Sequence, residues 1–123
     1  MDVSTALENA KDSGSFSVRL SNGEGFDAVL TNAVPTGSGG GILVGANGTD
    51  IIMLNYPKLA AGTHKVTFGN GDARTSINDV SYVAQSGEME LTVDDPLTTA
   101  KGTYSFTTSD RIKVEGEFDV NAV

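Results

Sequence analysis

Cysteine is absent from this sequence, which removes thiolate nucleophiles, disulfide bonds and Cys-ligated zinc together and leaves the redox compartment undetermined. Histidine occurs once, as His64, so any His-dependent triad or histidine metal site has to be built on a single ring. Basic residues are scarce too: eight lysines and arginines stand against sixteen acids, for a net charge of −8, and they are scattered from Lys11 to Lys113. That distribution repels a phosphate backbone and an anionic membrane surface alike, which argues against nucleic acid as a partner. Long apolar runs are also missing. The longest, Ile51 to Leu54, suits a strand and falls far short of the roughly 20 residues that a membrane-spanning helix needs. The amino end, MDVSTALENAKDSGS, has neither the basic region nor the apolar region of a secretory signal, so the chain reads as intracellular or as a mature form with a new Met1.

What is present is globular. With 123 residues, 38% of them apolar and 20% charged, the chain fits one domain over residues 1–123 that buries a core without metal or disulfide support. Fifteen glycines imply many turns. Thr5-Ala6-Leu7-Glu8 has capping-box spacing, and Ala6, Leu7 and Ala10 predict a short amino-terminal helix that stops before Ser13-Gly14. From Phe16 the period changes to two. Phe16, Val18 and Leu20 alternate with Ser15, Ser17 and Arg19, and SNGEG turns that strand into FDAVLTN.

Val34 to Gly41 is too rich in glycine to hold strand geometry and predicts a loop that delivers the chain to ILVGA. Asn47-Gly48 turns that strand into DIIMLNY, KLAAG connects to THKVTF, and Asn70-Gly71 makes a further turn. INDVSYVA and EMELTVD predict the next pair of strands, with Ser86-Gly87 between them. TYSFTT follows Asp95-Pro96, and Ser109-Asp110 leads into a final strand. There Ile112, Val114, Gly116, Phe118 and Val120 alternate with Arg111, Lys113, Glu115, Glu117 and Asp119. Short strands bounded by turns predict an all-β fold, an antiparallel β-sandwich of about eight strands, with a barrel as the other closure. Gly116 sits on the apolar side of its strand, where glycine marks a bulge, a bend or a ring from a neighbour such as Tyr104 or Phe106.

One resemblance adds to this. Asp50-Ile51-Ile52-Met53-Leu54 followed by Ala61-Gly62-Thr63-His64-Lys65-Val66, and Gly102-Thr103-Tyr104-Ser105-Phe106 leading to Val114-Glu115-Gly116-Glu117-Phe118-Asp119-Val120, resemble segments of small all-β domains of unknown function in Bacteroidota-type envelope lipoproteins. The resemblance covers the second half of the chain. It implies an envelope-associated or secreted β-sandwich rather than a cytoplasmic protein, and it carries no catalytic residue. His64 stands where that pattern has an aromatic residue, and no lipobox cysteine lies near the start.

No nucleophile elbow accompanies His64, although Asp50 and Asp72 are available as acidic partners, so no catalytic residue is assigned and the chain reads as a non-enzyme. Asp72, Asp79, Asp94, Asp95 and Asp110 fall in turns, where the side chain bonds nearby amides. None has the spacing of a calcium loop, so no metal or other cofactor is expected. Tyr56, beside Pro57, and Tyr82 are the aromatic residues expected at the surface, whereas Tyr104 is expected in the core with Phe106. Asn47-Gly48-Thr49 is both a glycosylation sequon and a natural turn. The preferred reading is a binding or interaction domain for a protein or carbohydrate partner, with Tyr56, Tyr82 and His64 as candidate binding residues. The alternative is a β-barrel holding a small apolar ligand, and such a barrel requires an apolar interior cavity.

Overall fold

In the computed structural model, residues 15–35, 40–94 and 99–121 are described, and every regular element among them is a β-strand. Ten strands follow in order: β1 (Ser15–Leu20), β2 (Gly25–Asp27), β3 (Leu30–Pro35), β4 (Gly41–Asn47), β5 (Asp50–Tyr56), β6 (Gly62–Phe68), β7 (Ala73–Ile77), β8 (Val80–Val93), β9 (Thr99–Thr108) and β10 (Lys113–Asn121). They form one antiparallel sheet in the order β2-β1-β10-β9-β8-β7-β5-β4-β3, with β6 paired to β8 off this path. The sheet curls into a half-barrel. The helix predicted over Thr5 to Ala10 lies outside the described residues.

Alternation dictates the inner face, because successive side chains of a strand point to opposite sides. Phe16, Val18 and Leu20 of β1, Tyr104 and Phe106 of β9, and Val114, Phe118 and Val120 of β10 are all buried. They join Leu43, Ile52 and Leu54 from the other half in a single core. Phe16 packs against Tyr104 and Phe118 with ring centroids 5.7 and 5.5 Å apart, and Phe106 packs edge-on to Phe68 at 6.4 Å. A second, smaller cluster of Val34 and Val44 lies on the opposite face, flanked by Ile42, Ile51 and Met53.

The curl has identifiable causes. Gly87, Gly102 and Gly116 pair across the ladders with Phe106, Phe118 and Tyr104, so three adjoining strands each place a glycine beside an aromatic neighbour. Glycines of this kind let a sheet bend, and neighbouring strands close over them: a side chain would meet Ser105 and Phe106 at Gly87 and the Glu90 and Leu91 backbone at Gly102. A side chain at Gly116 would run first into the Ser17 carbonyl oxygen of β1, so the close neighbour is backbone rather than a ring. That carbonyl has left the ladder. It accepts the Tyr104 hydroxyl at 2.7 Å, while the Ser17 hydroxyl takes its place against Glu117, accepting from the Glu117 amide at 3.0 Å. The ring-over-glycine contact expected at Gly116 occurs instead at Gly45 of β4, where an added Cβ would lie 2.9 Å from Phe16. This contact joins the two ends of the sheet across the core.

Several sequence expectations need correction. FDAVLTN is not one strand: it switches halves at Ala28-Val29, where Ala28 N–H donates to Phe16 and Val29 N–H donates to Ala46. Val34, Pro35 and Gly41, expected in a loop, are paired strand residues, and residues 36–39 lie outside the described ones. Ser86-Gly87 does not turn the chain, because β8 runs through it with a bulge between Ala84 and Ser86. The turn lies earlier, at Asn78-Asp79, where both residues adopt positive φ (53° and 66°) and join Ile77 to Val80. Asn and Asp tolerate the left-handed region that a two-residue hairpin of this hand requires. The count is therefore ten strands among the described residues, and β7 is the one that no sequence pattern marked.

Candidate functional site

The wall of the half-barrel has a seam where β7 and β6 succeed each other along β8. β7 fills the space between β8 and β5 over Val80 to Val83, and β6 takes over on β8 from Gly87 to Val93 without reaching β5. A cleft of about 470 Å³ lies along the seam. Asn55 and Tyr56 end β5 and, with Pro57 and Leu59, form one wall; residues 64–67 of β6 form the other, and Asp72 also lines it. Among the described residues β6 has no second strand partner, so its far edge keeps backbone donors and acceptors outside the ladder.

The local geometry follows from turn chemistry. Asp72 holds the β6–β7 turn, its Oδ2 accepting the Gly69 amide at 2.7 Å, and its carbonyl accepts the Asn55 amide at 2.9 Å, which ties the end of β5 to the turn. His64 donates through Nε2 to the Ala60 carbonyl at 2.7 Å, fixing the connector and leaving Nδ1 as the unprotonated ring nitrogen when the ring is neutral. Lys65 sits 3.5 Å from Glu88, and both side chains are well exposed, so the pair fixes little. Tyr56 is buried, only 8% exposed, in contact with the main core. Burial raises its phenol to about 12.

The structure thus brings Tyr56 and His64 together and leaves Tyr82 elsewhere. Tyr56 is not the exposed platform that its place beside Pro57 suggested, because it takes an inward position on β5. Tyr82 reaches across the mouth of the curl to the β1–β2 turn, donating to Glu24 at 2.8 Å with Asn22 at 3.5 Å. The Glu24 carboxylate raises the Tyr82 phenol above its ordinary value. That bond makes Tyr82 a latch between the halves. Asp72, noted in the sequence as an acid available to His64, does share the cleft, but each group is bonded to a backbone partner of its own. Among the described residues no hydroxyl is hydrogen-bonded to His64, and no cluster of three or more His, Asp or Glu side chains is arranged to hold a metal ion.

A larger depression, about 830 Å³, lies on the outer face over β8, β9, β10 and β1. Glu88, Glu90, Glu115 and Glu117 surround Thr103 and Ser105 there. It is the solvated side of alternating strands, and Arg19–Asp27 and Lys113–Glu115 pairs neutralise part of it. The smaller seam is the more selective feature, because it unites the lone histidine with an unpaired strand edge. No helix among the described residues is long and apolar enough to cross a membrane. Together these features define an all-β protein with a curled antiparallel sheet and a cleft of mixed polar and apolar lining in its wall. No protein-family model, curated protein or solved structure matches the chain.

Proposed function

We propose that this protein is a non-enzymatic binding domain of the cell envelope or extracellular space that takes its partner, an extended protein segment or a carbohydrate, at the seam between β5 and β6. The observation that carries this is the unpaired edge of β6 beside a cleft lined by Asn55, His64 and Asp72. An edge of this kind offers main-chain hydrogen bonds for affinity, and flanking side chains supply specificity. The compartment rests on the resemblance of residues 50–66 and 102–120 to envelope lipoprotein domains. The sheet is further read as a sandwich folded about β8, with β3, β4, β5 and β7 as one layer and β1, β2, β6, β9 and β10 as the other; the Phe16–Gly45 contact between layers supports this. The apolar-ligand alternative is less favoured, because aromatic rings at 5.5–6.4 Å centroid spacing occupy the concavity such a ligand would enter.

The test is an NMR titration of the labelled protein with panels of extended peptides and oligosaccharides. A binder should perturb the amides of Asn55, Tyr56, His64 to Thr67 and Asp72, and Lys65→Glu should change its affinity. Perturbations confined to the outer face, or turnover of a substrate that His64→Ala abolishes, would refute the proposal.

A further inference from the structure

Three asparagines precede glycine in this chain, at Asn22-Gly23, Asn47-Gly48 and Asn70-Gly71, and all three pairs are exposed at or beside turns. Asn-Gly is the dipeptide in which the following nitrogen most readily attacks the side-chain amide, because glycine has no side chain to hinder the approach. The backbone treats the three pairs differently. Gly23 N–H donates to the Leu20 carbonyl at 3.0 Å and Gly71 N–H donates to the Ala84 carbonyl at 2.9 Å. Side chains are held at two of the sites, Asn22 Oδ1 accepting the Glu24 amide at 3.0 Å and Asn47 Nδ2 donating to the Asp27 carbonyl at 3.1 Å, so it is the attacking nitrogen that sets Asn47 apart. Gly48 is the first residue of a two-residue turn whose ladder bonds belong to the flanking pair, Asn47 and Asp50. Its N–H has no acceptor among the described residues. A free amide can lose its proton and swing toward the neighbouring side chain, whereas a bonded one must first break its bond.

We infer that Asn47 is a site of spontaneous deamidation, the fastest of the three, and that its conversion loosens the corner where the ends of the curled sheet meet. The Gly48 nitrogen loses its proton to solvent hydroxide and forms a bond to Cγ of Asn47, the Cγ–Nδ2 bond breaks, and ammonia leaves. Water then opens the cyclic imide at either carbonyl, giving aspartate or isoaspartate and one additional negative charge. The Asn47 Nδ2 group donates to the Asp27 carbonyl at 3.1 Å, tying the β4–β5 turn to the end of β2. After conversion a carboxylate faces that carbonyl and the tie is gone. Isoaspartate also adds a methylene to the backbone, which disrupts the pairing of Asn47 with Asp50. This inference is independent of the seam and of what binds there.

The experiment is an ageing series of the full chain in mildly alkaline buffer, native and in concentrated urea, followed by peptide mass mapping. In the native protein the acid form should accumulate at Asn47 about fivefold faster than at Asn22 or Asn70, the factor that one backbone hydrogen bond of about 1 kcal/mol is worth. In urea the three rates should converge, since all three share the same following residue. Native conversion at Asn22 or Asn70 as fast as at Asn47 overturns the assignment. Asn47→Asp reproduces the aspartate product and should lower the melting temperature; a variant as stable as the parent overturns the loosening of the corner.

Discussion

Two hairpins of this protein share one geometry and differ in the residue that it strains. In the β1–β2 turn Leu20 N–H donates to Glu24 and Gly23 N–H donates to Leu20; in the β9–β10 turn Thr108 N–H donates to Ile112 and Arg111 N–H donates to Thr108, all at 2.9 to 3.0 Å. Each is a three-residue loop whose last member takes positive φ, 94° at Gly23 and 66° at Arg111. Holding an L-residue there costs about 1–2 kcal/mol, which glycine avoids. Glycine in turn gives the unfolded chain more freedom, a penalty of about 0.4–1 kcal/mol. Arg111 is exposed and forms no ion pair among the described residues, so its removal forfeits little packing. Arg111→Gly should therefore stabilise the fold by about 0.5–1 kcal/mol, raising the melting temperature by very roughly 2–5 °C. Gly23→Ala at the twin position should destabilise by about 1 kcal/mol or more. Urea denaturation of both variants, with Arg111→Ala to isolate the lost charge, measures this. An Arg111→Gly midpoint equal to or below that of the parent would refute the argument.

Gly116→Val should destabilise by about 1–3 kcal/mol or more, because the Ser17 carbonyl blocks the new side chain, whereas Glu115→Val on the exposed face should lose far less. Equal denaturation midpoints for the two would remove this account of the glycine. Alkaline unfolding tests the buried phenols. Burial raises Tyr56 to about 12 and raises Tyr104 as well, the latter offset in part by Arg19. Above a pH of about 10 the unfolded phenols ionise while the folded ones keep their protons, so the folded state binds more protons and stability falls as pH rises. For Tyr56 the window runs from about 10 to about 12, with the contribution fully present below it. Tyr56→Phe should flatten that fall, and a pH profile unchanged by both Tyr56→Phe and Tyr104→Phe would exclude this cause.

The sequence by itself determined the all-β character, the inward residues of the strands and most of the turns. Phe16-Val18-Leu20 and Val114-Phe118-Val120 are legible because alternation is a local property of an extended chain, and Asn47-Gly48 and Ser109-Asp110 because a hairpin is closed by its own few residues. Ser86-Gly87 misled for the opposite reason. Whether a glycine bends a strand or ends it depends on what lies beside it, and here Phe106 and Phe68 flank Gly87 and let β8 continue through a bulge. The candidate site was legible only in part. His64 stood out as the single histidine and Tyr56 by its place beside proline, but nothing local separates an exposed tyrosine from one turned inward. Tertiary structure alone decided that β6 pairs with one strand and not two among the described residues, that Asn55, His64 and Asp72 line the gap this leaves, and that Tyr82 latches the opposite end. Those outcomes depend on how far the sheet curls before its ends meet, and the curl is set jointly by glycines and rings on strands distant in sequence.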